Sequence, residues 1–171
     1  TNQQDRYFRR VVFSGPDSVC IDKSVPIHLT RYFKIRNNNI AADNTICSGS
    51  TPAPLAGSDP TNGDGTYTFI WQQSSNGTEW TSNAAGTFNQ KDYSPPSLTD
   101  STWYRRIVNS SKCTDVSNIV VINVHKPVTN NLISLISGSG NDTTLCSGSV
   151  PNTIIGSIPE GGTDLPDDYA Y

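Results

Sequence analysis

The chain has no methionine, two histidines and four cysteines in 171 residues, and Asp, Glu, Lys and Arg make up only 16% of it. Each shortage excludes something. His28 and His125 stand alone in apolar runs, and Cys20, Cys47, Cys113 and Cys146 show no CxxC spacing, so zinc and dithiol redox motifs are missing. With 12 basic against 15 acidic residues and no basic stripe, there is nothing to grip a phosphate backbone, and no nucleic-acid partner is expected. No apolar run is long enough for a transmembrane segment. GxSxG, HExxH and GxxxxGKS are absent, leaving nucleophilic, zinc and phosphoryl chemistry without their parts. The expectation is a non-enzymatic chain with no cofactor and no metal. The loop Asp59-Pro-Thr-Asn62-Gly-Asp64-Gly65 is rich in oxygen, but position 12 counted from Asp59 is Ile70, where an EF-hand needs Glu. It reads as a plain turn.

What is plentiful are turn and strand formers: 21 Ser, 18 Thr, 16 Asn, 13 Gly and 11 Pro. That composition predicts an all-β protein, and its scattered cysteines predict disulfides in an oxidising, extracellular setting. The opening TNQQDRYFRRVVFSG has neither an initiator Met nor the basic head and apolar middle of a signal peptide, so a fragment is expected.

The chain also repeats itself. YFRRVV at Tyr7–Val12 recurs as WYRRIV at Trp103–Val108, and Cys20-Ile-Asp22-Lys-Ser24 recurs as Cys113-Thr-Asp115-Val-Ser117. Cys47-Ser-Gly-Ser-Thr-Pro52 recurs as Cys146-Ser-Gly-Ser-Val-Pro151, through Gly57-Ser58 and Gly156-Ser157. Offsets of roughly 93 to 99 residues are too long for a solenoid and match an immunoglobulin-like β-sandwich. The phase predicts one complete and two partial repeats. Residues 1–36 are the end of one, 37–42 a linker, 43–128 a whole repeat, 129–139 a linker, and 140–171 the start of a third. In the complete repeat, strands are predicted at 45–48, 53–56, 67–73, 78–81, 93–98, 101–108 and 118–124. Asn76-Gly77 is a hairpin signal that should join the strand of Trp71 to that of Trp80. Tyr67, Phe69 and Trp71 share a face, and Trp71 is the expected central core residue.

The complete repeat owns Cys47 near its first strand and Cys113 after its sixth, which predicts a Cys47–Cys113 disulfide. It would close about 66 residues and add roughly 3–4 kcal/mol. Cys20 and Cys146 then pair outside the fragment. The rival arrangement, Cys20 with Cys47 and Cys113 with Cys146, staples neighbouring repeats. Arg105 and Arg106 are adjacent on a strand, so one of them faces the core and needs a partner. Asp115 is favoured over Asp92, giving a candidate buried Arg106–Asp115 ion pair, because Asp22 repeats alongside Arg9 and Arg10. The functional alternative is a site for anionic sugars. Trp80 and Trp103 are candidates for stacking on sugar rings, against an ordinary packing role. Leu98-Thr-Asp-Ser-Thr-Trp-Tyr104 resembles the approach to the sixth strand of immunoglobulin-like domains, where a Tyr hydroxyl bonds back to the corner; here that residue is Tyr104.

Taken together, the CSGS opening, Trp71-Gln-Gln-Ser-Ser-Asn-Gly77, Pro95-Pro96, Tyr104-Arg105-Arg106 and the KCTDVSN and VVINV segments resemble the tandem immunoglobulin-like repeats of Bacteroidota cell-surface gliding-motility adhesins, the SprB-like proteins. The resemblance implies export by the type IX secretion system, display on the outer surface, and partnership with the gliding machinery and surface polysaccharide. Neighbouring repeats of the same chain are the other expected partners. It also implies O-glycosylation at Asp-Ser/Thr motifs, here at Ser18, Ser101 and Thr143. The segment Arg31-Tyr-Phe-Lys-Ile-Arg36 is more basic and aromatic than His125-Lys-Pro-Val-Thr-Asn130, an argument against equal geometry at the two linkers. Two further readings stand beside the adhesin spacer: a carbohydrate-binding or accessory module of a secreted polysaccharide-degrading protein, and a fibre built by pairing of repeat faces through exposed edge strands.

Overall fold

In the computed structural model the described residues are 3–18, 20–41, 44–82, 89–135 and 144–163. They form β1 (Gln3–Phe8), β2 (Val11–Ser14), β3 (Cys20–Lys23), β4 (Ile27–Arg36), β5 (Ile40–Ala41), β6 (Asn44–Cys47), β7 (Ala56–Gly57) and β8 (Thr61–Gly63). The second half continues with β9 (Thr68–Ser74), β10 (Thr81–Ser82), β11 (Thr102–Ser110), β12 (Cys113–Val116), β13 (Val120–Thr129), β14 (Ile133–Leu135), β15 (Ile154–Gly156) and β16 (Glu160–Gly162). No α-helix occurs among the described residues, and the fold is an all-β sandwich.

The largest sheet runs β10-β9-β11-β13, all antiparallel, with β6 added in parallel on the far edge of β13 and β12 continuing the ladder of β11. Along β11, alternate residues are buried, as a strand with one wet face requires. Tyr104, Arg106, Val108 and Ser110 point inward. Tyr104 joins Trp71 from β9 and Val120 and Ile122 from β13 in the central core cluster. The opposing layer is slight: β5 pairs with β7, and Leu55 bridges Tyr93. Between the layers Trp71 stacks on Tyr93 at 5.5 Å, and Tyr93 tilts against Tyr104 at 5.8 Å. Trp71 is the fully buried centre predicted from its strand, with Nε1 donating to the Gln90 carbonyl at 2.9 Å.

Departures from the predicted strands have local causes. Residues 93–98 form only the Tyr93 bridge, because Pro95 and Pro96 have no N–H for a ladder. Pro52 and Pro54 cut the next segment back to Ala56–Gly57 in the same way. Trp80 lies outside a strand. Asn76 Oδ1 accepts from the amides of Thr78 and Glu79, both at 2.9 Å, and turns the hairpin into a six-residue loop closed at Thr81. Residues 59–65 do more than turn, since Thr61–Gly63 is a strand.

The amino-terminal strands reproduce the central ones residue for residue. Phe8 pairs with Ile27 as Tyr104 pairs with Val120, and Arg6 with Leu29 as Thr102 with Ile122. Ser14 pairs with Cys20 as Ser110 with Cys113. Even the cap recurs: Arg10 N donates to Ser24 Oγ at 2.9 Å, and Arg106 N to Ser117 Oγ at 2.8 Å.

Candidate functional site

The most elaborated polar construction lies where one set of strands passes into the next. β4 pairs with β1 through Tyr32, then runs on and pairs with β8, Phe33 opposite Gly63 and Arg36 opposite Thr61. The chain then turns at Asn37, whose φ of 57° lies in the left-handed region that Asn tolerates better than most residues. Asn37 Nδ2 donates to the Asp59 carbonyl at 2.7 Å. Ser58 completes the joint: its Oγ donates to the Asn37 carbonyl and accepts from Asn39 N at 2.8 Å, while its N–H donates to the Asn39 carbonyl at 2.9 Å.

The same joint is built again after β13. Lys126 pairs with Gly162 and Thr129 with Glu160. Asn130 turns with φ 56°, and its Nδ2 donates to the Ile158 carbonyl at 2.7 Å. Ser157 Oγ donates to the Asn130 carbonyl and accepts from Leu132 N at 2.9 Å, and Ser157 N donates to the Leu132 carbonyl at 2.8 Å. Among the described residues the two junctions therefore make the same hydrogen bonds, although their charge and aromatic content argued against equal geometry. Those side chains are mostly exposed, and the backbone and the Asn and Ser decide the joint. The Asn pairs Asn37-Asn38 and Asn130-Asn131 stand 93 residues apart, a sequence signal for the joint that motif reading passed over.

Next to the first joint sits a fully buried cation, Arg106. Its predicted ion pair with Asp115 is not formed. Nη1 donates to the Lys91 carbonyl and Nη2 to the Ser58 carbonyl, both at 2.9 Å, and Nε to Asn38 Oδ1 at 3.0 Å. Asn38 Nδ2 in turn donates to Asp115 Oδ2 at 3.3 Å, and Lys34 Nζ stands 4.0 Å from the same carboxylate. The physical reason is reach. Arg106 and Asp115 are not opposite one another, since Asp115 faces Val108 in the β11–β12 ladder, and Asn38 occupies the space between. Asp92 does not take the pair either; its Oδ1 accepts from Gly57 N at 2.8 Å. Burial lowers the Arg106 pKa, opposed by the nearby charges of Asp92 and Asp59. The guanidinium also lies 5.1 Å from the Phe69 ring centroid. Gly57 makes the room: a Cβ there would collide with Nη1 of Arg106 and with the Lys91 carbonyl.

Tyr104 is buried in the core, but its hydroxyl has no hydrogen-bond partner among the described residues, so the corner bond expected of it is not formed among them. Burial pushes its pKa up to about 12, helped by Tyr93. On the outer face, Arg105 donates to Gln72 Oε1 at 2.8 Å, and its guanidinium lies over the Trp80 ring at 4.2 Å. Trp103 is half-buried against Gly77. One face of Trp80 is thus already covered by protein.

All four cysteines are unpaired. Cys47 stands opposite His125, beyond the Thr102 end of β11, whereas Cys113 stands opposite Ser110 at its other end. At about 3.3 Å per residue, that separates them by roughly 30 Å, far beyond the ~7 Å that a disulfide spans. The Cys47–Cys113 bridge is excluded, and neither rival pair is bonded. Of the glycosylation candidates, Ser101 is half-buried and its Oγ accepts from Val124 N at 3.0 Å. Ser18 falls in the 3-10 turn Pro16–Ser18, while its side chain and Thr143 lie outside the described residues. No group of three or more metal-ligating side chains occurs among the described residues; Asp64, near β8, accepts from Ser110 Oγ at 2.7 Å and Thr66 N at 2.8 Å, which lowers its pKa.

The family model described as a domain of unknown function (DUF8696) matches residues 36–126, more than half of the chain, from the end of β4 into β13. None of the curated proteins matches the chain.

Proposed function

The chain belongs to the DUF8696 family, and we propose that it is a non-enzymatic structural spacer of a large filamentous cell-surface adhesin, of the kind that attaches gliding bacteria to a substratum. The observation that carries this is the duplicated joint. Asn37 with Ser58, and Asn130 with Ser157, tie successive units by the same hydrogen bonds at both ends of the central sandwich. A spacer needs that property, because identical joints make every step along the chain turn alike, and a continuous strand such as β4 or β13 carries tension across each of them.

Export by the type IX system, display on the outer surface and glycosylation of exposed Ser or Thr belong to the same proposal and rest on the motif resemblance. The carbohydrate-module reading has less support, since Arg105 lies on Trp80 and Gly77 under Trp103, leaving neither indole as a bare platform. In-frame deletion of residues 37–129 from the parent gene, followed by surface immunolabelling and an attachment assay, tests the proposal. A spacer predicts a shorter surface filament with attachment retained. Loss of attachment or of polysaccharide binding at unchanged surface level would refute it.

A further inference from the structure

Arg106 holds two distant segments of the central sandwich side by side. Nη2 donates to the Ser58 carbonyl and Nη1 to the Lys91 carbonyl, both at 2.9 Å, and Gly57 N donates to Asp92 Oδ1 at 2.8 Å. Main chain 57–58 is thereby pinned to residues 91–92, and just outside the pinned backbone Lys91 Nζ lies 3.0 Å from Asp59 Oδ1. As an ion pair alone this contact contributes little, because both side chains reach solvent.

Three features set it apart from an ordinary surface pair. Asp59 is followed by Pro60, so its carboxylate stands within ring-closing reach of a tertiary amide. The carbonyl of that amide accepts from Asn37 Nδ2 at 2.7 Å, a donor placed where negative charge develops on attack. The chain beyond Pro60 is held as well, because Thr61 pairs with Arg36. A nucleophile, a polarised carbonyl, a leaving nitrogen and an amine thus converge on backbone fixed by a buried guanidinium.

We propose that this is a self-modification site, at which the Asp59–Pro60 peptide bond is exchanged for an amide between the Asp59 side chain and Lys91 Nζ. A carboxylate oxygen of Asp59 attacks the Asp59 carbonyl carbon, closing a cyclic anhydride as the bond to the Pro60 nitrogen breaks. The Lys91 ammonium gives that nitrogen a proton, and Pro60 leaves as a secondary amine. The freed Nζ then attacks Cγ of the anhydride. The new amide forms, the Asp59 α-carboxylate is released, and the second proton shed by Nζ completes the Pro60 ammonium. Nothing is oxidised or reduced, no water is consumed, and the mass of the chain is unchanged. The product is branched, with residues 1–59 carried on Lys91, a covalent tie in a chain whose cysteines form none.

The duplicated joint supplies an internal control. Asn130 Nδ2 donates to the Ile158 carbonyl at 2.7 Å ahead of Pro159, the same arrangement with an aliphatic side chain in place of the carboxylate. No exchange is expected there.

The proposal does not rest on the spacer reading, and its test is covalent and independent of cell attachment. The purified chain, incubated at neutral pH and then denatured with reductant, should keep its intact mass while its peptide map gains a free Pro60 amine and a branched peptide joining Asp59 to Lys91. Asp59→Ala should give neither. Lys91→Arg keeps the charge but should lose the branch, water opening the anhydride to leave separate chains that end at Asp59 and start at Pro60. Asn37→Gly removes the donor to the reacting carbonyl and should slow branching by about 10²-fold. All three side chains reach solvent, so circular dichroism of each variant should match that of the parent chain. An unbranched chain after prolonged incubation, cleavage at Asp59–Pro60 with no link to Lys91, equal reaction at Ile158–Pro159, or a branch that survives Asp59→Ala would each overturn the inference.

Discussion

Tyr104 shows at the scale of one residue how a resemblance and a structure part company. The aromatic body is buried as the sequence pattern implies, yet its hydroxyl meets no acceptor among the described residues. Removing an unpaired buried hydroxyl should not cost stability. Tyr104→Phe should therefore leave the thermal midpoint unchanged or raised, where a corner hydrogen bond would cost about 1 kcal/mol. The pH dependence has a definite sign. The Tyr104 pKa is raised to about 12 in the folded chain, above the ordinary phenol value, so its contribution is intact below pH 10 and is lost as pH rises through 10 towards 12. Denaturant unfolding at pH 8 and pH 11 should show an alkaline loss that Tyr104→Phe reduces; Tyr93, shifted upward by burial as well, retains its own part. Arg106 behaves in the opposite way to Tyr104, because each of its three side-chain nitrogens donates a hydrogen bond. Arg106→Ala strands the carbonyls of Lys91 and Ser58 together with Asn38, and should cost about 3 kcal/mol or more in equilibrium unfolding.

Among elements, the joint is where a single side chain governs the path of the backbone. Asn37→Ala removes the bond to the Asp59 carbonyl and places a residue with a Cβ and no local hydrogen bond at φ 57°, at a cost of about 1–2 kcal/mol. The loss should be local. Amide exchange should quicken at residues 33–36 and 58–63, while the core strands β9 and β11 keep their protection. Asn37→Gly keeps the conformation and loses only the hydrogen bond, so a smaller effect is expected. Uniform acceleration across the sandwich would mean that the joint is not a separate unit of stability. Elements were unequally legible. β11 was readable because Thr-Trp-Tyr-Arg-Arg-Ile-Val is rich in aromatic and β-branched residues and its Trp103–Val108 part recurs at Tyr7–Val12, whereas residues 93–98 looked extended but contain two prolines that cannot join a ladder. β8 was hidden in a Thr-Asn-Gly run whose Asn and Gly disfavour strands, because its pairing partner is the tail of β4 and not a neighbour in sequence.

For the whole molecule, the free thiols carry a direct consequence. With Cys47 and Cys113 at opposite ends of the sheet, no intrachain disulfide contributes to the fold. The unfolding midpoint of this chain should be the same with and without reductant. A fall of several degrees on reduction would show a bridge after all.

The sequence by itself determined the all-β class, the period of the internal match, the central Trp71 and the inward Arg on β11, because these depend on residue type and on spacing along one strand. Only the tertiary structure decided what those residues touch. Arg106 is satisfied by carbonyls from residues 58 and 91 and by Asn38, which are brought together from three separate segments, and no spacing rule along the chain encodes that meeting. The same holds for the cysteines: the repeat assigns both to one unit, but strand direction and length place them at its two ends.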